Sequence, residues 1–118
     1  MTKSRSFKDL LVWQKSMKLV KEIYAITRSF PKNEEYALTV QLRRCAVSIP
    51  SNIAEGSRRG TQKDFIQFLR IADGSAAELE TQLILAKDLY PAPNYQKSAG
   101  LLDEVQKMLA ALLIKLKT

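Results

Sequence analysis

The sequence predicts an all-α protein, an antiparallel up-down-up-down four-helix bundle, and three observations carry that prediction. Four segments place apolar residues at steps of three and four, the period of a helix face. The signals between them are short: Phe30-Pro31, Gly56 to Gly60, and Pro91-Ala92-Pro93. No segment alternates like a half-buried strand, and there is no repeat or low-complexity tract. Short connections between helices of about 20 residues favour antiparallel neighbours. Residues 1–118 read as a single domain, long enough to bury a core without disulfides or metal.

The first helix is expected from about Lys8 to Ser29. Leu10, Trp13, Met17, Val20, Tyr24 and Thr27 give a core seam at heptad-like spacing. Leu19, Ile23, Ile26 and Phe30 give a second apolar face, and two faces on one helix point to contact beyond its own bundle. Phe30 ends the helix, because the residue before a proline is pushed out of the α region.

The second helix is expected to begin near Asn33, a favourable N-cap, with Glu34 and Glu35 complementing the helix dipole. Leu38, Leu42, Cys45, Ile49 and Ile53 form its seam. Pro50 deprives the Ala46 carbonyl of its donor, so a kink is expected there, with Ser48 or Ser51 as partial replacements. A break at Pro50, with residues 51–56 as a separate turn, is the alternative. The apolar and polar stripes keep their phase across Pro50, which favours one kinked helix ending at Gly56 and Gly60.

The third helix opens on Thr61-Gln62-Lys63-Asp64, close to a capping box with Asp in place of Glu or Gln. Phe65, Ala72, Leu79 and Ala86 recur every seven residues, accompanied by Phe68 or Leu69, Ala76, Leu83 and Tyr90. Its middle, Ala72 to Ala77, is small. Gly74 costs a helix about 1 kcal/mol relative to alanine, so close approach of a neighbouring backbone is the expected reason for it. The fourth helix is expected from about Asn94 to Leu116, with Leu102, Val105, Leu109, Leu112 and Leu116 inward and Leu101, Met108 and Leu113 beside them.

Composition narrows the function. There is no histidine and a single cysteine, Cys45, which removes the commonest general base and the thiolate or imidazole zinc sites. The carboxylate pairs Glu34/Glu35, Glu78/Glu80 and Asp103/Glu104 lack the histidines that a di-iron bundle needs. No catalytic residue, metal site or cofactor is expected, and Cys45 on the core seam reads as a buried, inert thiol. Met1 to Phe7 contain no apolar core of a signal peptide, and no apolar run approaches the roughly 20 residues of a membrane span. A cytoplasmic protein is expected.

The net charge is +7, and residues 1–59 hold all of the excess, with 12 Lys/Arg against 5 Asp/Glu. Residues 60–118 hold 7 of each. Such a field favours polyanions, while its plainer role is solubility. Lys8, Lys15 and Lys18 share a face, Arg43 and Arg44 lie on the second helix, and Arg58-Arg59-Gly60 sits in a loop. Lys15, Lys18, Arg43, Arg58 and Arg59 are the expected phosphate contacts. With Trp13 and Tyr24 on the core seam, no base-stacking platform is expected, and binding should follow shape and charge.

A polar stripe completes the pattern. Gln41, Arg44, Ser48, Asn52 and Glu55 follow at steps of three or four across Pro50. They form an oligomer interface, a polar network reaching Ser75 and Glu78 on the third helix, or a solvated face. An Arg44–carboxylate fork would be the strong pair in such a network.

These residues resemble a known family. The matching pieces are Phe7-x-x-Leu10-x-Val12-Trp13-Gln14-Lys15, Phe30-Pro31-Lys32-x-Glu34-x-Tyr36-x-Leu38, and Gln41-Leu42-Arg43-Arg44-x-Ala46-x-Ser48-Ile49-Pro50-x-Asn52-Ile53-Ala54-Glu55-Gly56. Phe65-x-x-Phe68-Leu69-x-Ile71-Ala72-x-Gly74-Ser75-x-x-Glu78-Leu79-Glu80 adds a fourth. Together they resemble the four-helix-bundle proteins encoded in intervening sequences of bacterial 23S rRNA genes, over nearly the whole chain. The chain is also similar to accessory proteins of diversity-generating retroelements, basic pentamers that contact nucleic acid and a reverse transcriptase. The resemblance implies a four-helix bundle in a homopentameric ring, with no catalytic activity. The expectation is therefore a non-enzymatic, oligomeric RNA- or DNA-binding adaptor, linked to rRNA. Its rival is a homo-oligomeric protein-interaction scaffold.

Overall fold

The chain enters its first helix through a 3-10 turn, Phe7–Asp9, capped by Ser6, whose hydroxyl accepts a bond from the Lys8 N–H at 3.1 Å. In the computed structural model, which describes residues 6–34 and 37–117 (the Glu34 side chain excepted), four helices follow. They are α1 (Leu11–Thr27), α2 (Leu38–Arg58), α3 (Gln62–Leu89) and α4 (Gln96–Lys117). No strand occurs among the described residues. The roles expected of the Glu34 and Glu35 side chains lie outside the described set.

Helix α2 starts later than its sequence suggests. Asn33 lies in a second 3-10 turn, Lys32–Glu34, and α2 begins at Leu38 with Ala37 at its N-cap position. Burial of Phe30 outweighs the local capping signal here. The Phe30 ring is buried and stacks on Tyr90 with centroids 5.1 Å apart, which places the turn across one end of the bundle. The α2–α3 connection follows its local signals more closely. Gly60 takes φ +92, a conformation strained for any residue with a Cβ. Thr61 then caps α3, its hydroxyl accepting from the Asp64 N–H at 3.1 Å. At the other end of α3, the Tyr95 hydroxyl donates to the Tyr90 carbonyl at 2.7 Å, closing the proline turn.

Side-chain contacts give the arrangement of the helices. Arg43 meets Thr27 between α2 and α1. Ser48 meets Ser75, and Gly56 meets Phe68, between α2 and α3. Glu80 meets Gln106, and Gln62 meets Leu116, between α3 and α4. Lys15 meets Glu104, and Glu22 meets Lys97, between α1 and α4. In the last three pairings residue numbers fall along one helix as they rise along the other. Each helix packs on two neighbours in the cyclic order α1, α2, α3, α4, and the body measures 52 × 20 × 20 Å.

One cluster of buried residues fills the interior. It includes Leu19 and Ile23 of α1, Leu42, Ile49 and Ile53 of α2, Leu69 and Leu79 of α3, and Val105 and Leu109 of α4, all fully buried. The α1 core face is therefore Val12, Ser16, Leu19, Ile23, Ile26 and Phe30, the face read as secondary in the sequence. Of the expected primary seam only Thr27 is buried. Leu10, Trp13, Met17 and Val20 are half-buried and Tyr24 is exposed. A four-helix bundle has one interior, so the second apolar face of α1 is left along the junction with α2.

Helix α2 runs through Pro50 as one helix, which excludes a break with a separate turn at 51–56. Pro50 is itself buried, and Ala46, Ile49 and Ile53 on both sides of it are fully buried. The Ser48 hydroxyl is not turned to the Ala46 carbonyl; it lies 2.8 Å from the Ser75 hydroxyl.

The glycine that permits close packing is Gly56, not Gly74. A Cβ on Gly56 would stand 2.6 Å from Phe68 Cβ and 3.2 Å from the Phe65 ring, whereas a Cβ on Gly74 meets nothing within 4 Å. Phe68 Cβ is fixed to its backbone and cannot swing aside, so α3 would have to move. Gly56→Ala should therefore lower unfolding free energy by about 1–3 kcal/mol. Gly74→Ala should raise it by roughly 0.5–1 kcal/mol through helix propensity. Urea denaturation of the two variants checks both signs.

Candidate nucleic-acid interface

The polar stripe of α2 divides between its two neighbours. On the α3 side, Ser48 pairs with Ser75, and the Asn52 amide donates to the Ser48 carbonyl at 2.8 Å and hydroxyl at 3.0 Å. This small network is half-buried, and both bonds of the Asn52 amide nitrogen go to Ser48. Glu55 bonds Arg59 one turn later at 2.9 Å, an exposed pair that contributes little to stability. Gln41 and Arg44 are exposed. No carboxylate among the described residues pairs with Arg44, which lines the groove toward α1.

The five expected phosphate contacts do not form one cluster. Lys15 is paired with Glu104 at 3.3 Å, and Arg59 is tied to Glu55 and lies 4.9 Å from the centre of the Phe68 ring. Lys18 and Arg58 are exposed and carry no ion pair among the described residues. Arg43 and Arg58 stand about 22 Å apart along the α2 axis, at a rise of about 1.5 Å per residue.

Arg43 sits in the most organised surroundings. Its Nε donates to Thr27 Oγ1 at 2.9 Å, and that hydroxyl donates in turn to the Ile23 carbonyl at 2.7 Å. Its guanidinium carbon lies 4.5 Å from the centre of the Tyr24 ring. Tyr24, Val40, Arg43, Arg44, Val47 and Ser48 line a groove of about 460 Å³. A second groove of about 310 Å³, lined by Trp13, Met17, Val20, Val47, Pro50, Ser51 and Ala54, shares Val47 with it.

Two cations outside the five expected contacts border this region. Lys21 and Arg28, three residues before and four after Tyr24, share its side of α1 and are exposed. Neither is ion-paired among the described residues. Their spacing from Tyr24 was a usable signal, masked by the assignment of Tyr24 to the core. With Tyr24 and Trp13 both accessible, aromatic faces accompany the charge on this side of the protein.

Cys45 is half-buried rather than fully buried. Burial, then the Glu78 carboxylate, push its thiol above the ordinary value, against the opposing effect of a Gln82 hydrogen bond. The protonated thiol is thus the form favoured by folding. Its stabilising contribution is complete below the unfolded-state pKa and is lost as pH rises through the raised folded value. Thiolate absorbance in a pH titration should show a midpoint above that of a free cysteine, and Glu78→Gln should bring it partly back down.

Three His, Cys, Asp or Glu side chains do not converge as metal ligands anywhere among the described residues. Likewise, no helix of the described residues is long and apolar enough to cross a membrane. No curated protein matches the chain. In fold it is similar to a crystal structure from Bacteroides thetaiotaomicron VPI-5482, a protein with unknown function from the S23 ribosomal protein family. The TM-score is 0.78 at 25% identity, over 87% of this chain and 98% of that one. The family model for the 23S rRNA-intervening sequence protein matches residues 8–111, bundle and α1–α2 grooves included, so the chain belongs to that family.

Proposed function

We propose that this protein is a non-enzymatic, homo-oligomeric adaptor that binds nucleic acid in the cytoplasm, with RNA of the ribosome as its natural partner. The observation that carries this reading is that Arg43 and Arg44 line the α1–α2 groove, with Lys21 and Arg28 a turn to either side of Tyr24 on α1, none of them with a carboxylate partner among the described residues. Like charges held together repel one another, and a polyanion relieves that repulsion while releasing its own counterions. Lys18 and Arg58 extend the field along the same two helices. Membership of the 23S rRNA-intervening sequence family supports RNA as the polyanion.

A second reading, a homo-oligomeric protein-interaction scaffold, rests on a different surface. Ile71, Leu85 and Leu89 lie on one face of α3 and remain 44%, 48% and 53% exposed. The half-buried Ser48–Asn52–Ser75 network runs beside this face and would become dry under a second copy. A pentameric ring is the assembly we propose for it.

The two readings separate in a salt series. Binding to structured RNA and to duplex DNA should weaken linearly in log–log form as salt rises, with a slope set by the phosphates neutralised. Absence of binding at low salt would leave the scaffold alone. For assembly, light scattering should give an oligomer for the wild type. Asn52→Leu should change its size more than Lys97→Leu, and a wild-type monomer would refute self-association.

A further inference from the structure

We infer that the groove at Tyr24 and Arg43 is a receptor for an unpaired nucleotide, so that the protein distinguishes single-stranded RNA from duplex. This rests on the nucleic-acid reading above and adds to it a local site and a strand preference.

The first argument is preorganisation. Arg43 is held on two sides by neutral groups, the Thr27 hydroxyl at 2.9 Å and the Tyr24 ring at 4.5 Å. A guanidinium anchored through Nε keeps its two terminal nitrogens for an external oxyanion, in the fork geometry that suits phosphate. Because the side chain is already ordered, little rotamer entropy is lost when a phosphate arrives. An arginine held by an ion pair would have its terminal nitrogens occupied by a carboxylate. Here the charged group that lines the same groove is Arg44, of the same sign, and no carboxylate among the described residues pairs with Arg43.

The second argument is the apolar wall beside the charge. Tyr24 and Val47 remain 37% and 39% exposed, and Val40, Met17, Val20 and Trp13 continue the surface. Free phosphate or an acidic peptide would use the cations and leave this wall wet. A nucleotide uses both: its phosphate meets Arg43 and Arg44, and its base lies against the arginine plane, the ring and the valines. A duplex keeps its bases stacked inside and offers only phosphates. Only a strand with unpaired bases fills the groove.

Two probes of equal phosphate number test this: a short labelled oligoadenylate RNA and an RNA duplex, titrated by anisotropy at one ionic strength. The single strand should bind more tightly than the duplex. Arg43→Lys keeps the charge but loses the fork and the stacking plane, and should weaken single-strand binding about tenfold while changing duplex binding less than about twofold. Tyr24→Leu, at an exposed position, should act in the same direction, with circular dichroism checking its fold. Lys87→Gln, on α3 at an exposed site away from the groove, should change neither affinity.

Wild-type single-strand affinity in both Arg43→Lys and Tyr24→Leu would overturn the inference while leaving charge-driven binding intact. Dissociation of an oligomer by these two substitutions, with RNA affinity unchanged, would assign the groove to a second copy instead. No binding of either probe by the wild type would remove the nucleic-acid reading itself.

Discussion

The close approach of α2 to α3 is the constraint on which the rest depends. At Gly56 the two helices come so near that Phe68 occupies the space of a side chain. About two turns earlier on α2, Ser48 and Ser75 bridge the same seam through their hydroxyls. Together they fix the register of α2 for most of its length. That register turns Leu42, Ala46, Ile49 and Ile53 into the core, and it turns Arg43, Val47 and Pro50 toward α1. Slipping α2 by one residue would rotate it by about 100°, burying arginines and exposing isoleucines. The grooves between α1 and α2 are therefore a consequence of how α2 seats on α3.

Charge is partitioned by the same geometry. The excess of basic residues lies in residues 1–59, which build α1 and α2. Where these helices meet the neutral half, cations are matched: Lys15 finds Glu104 and Lys97 finds Glu22. Where they meet each other, the described ion pairs do not include Lys21, Arg28, Arg43 or Arg44. A bare field would make a sticky surface, but the Tyr24 and Thr27 contacts give one of these cations a defined position. The α1–α2 junction thus combines long-range attraction with local geometry, the two ingredients of a nucleic-acid site.

Much of the fold was legible in the sequence. Periodicity located all four helices, and the Thr61 cap, the Gly60 turn and the α3 and α4 core rows follow from local chemistry that tertiary structure leaves undisturbed. The misreadings share one cause. Helix α1 carries two apolar faces, and periodicity alone cannot say which one the bundle takes inside. Choosing the Trp13–Tyr24 seam as core hid both aromatics as surface groups, and with them the meaning of Arg43. Gly74 and Gly56 were exchanged for a related reason. A run of small residues is visible in sequence, whereas the approach of Phe68 to Gly56 exists only once α2 and α3 are packed. The early start given to α2 at Asn33 overlooked the pull of Phe30 into the core.

The central claim is that the α1–α2 junction, and not the neutral α3–α4 half, is the face that meets nucleic acid. Backbone amide shifts of the isotope-labelled protein, followed by NMR during titration with single-stranded RNA, test it most directly. The largest perturbations should fall on residues 21–28 and 40–48, with side-chain signals of Arg43 and Trp13 moving alongside. Perturbations centred on the cleft around Ile84, Tyr95 and Leu102 between α3 and α4, or none at saturating RNA, would contradict it.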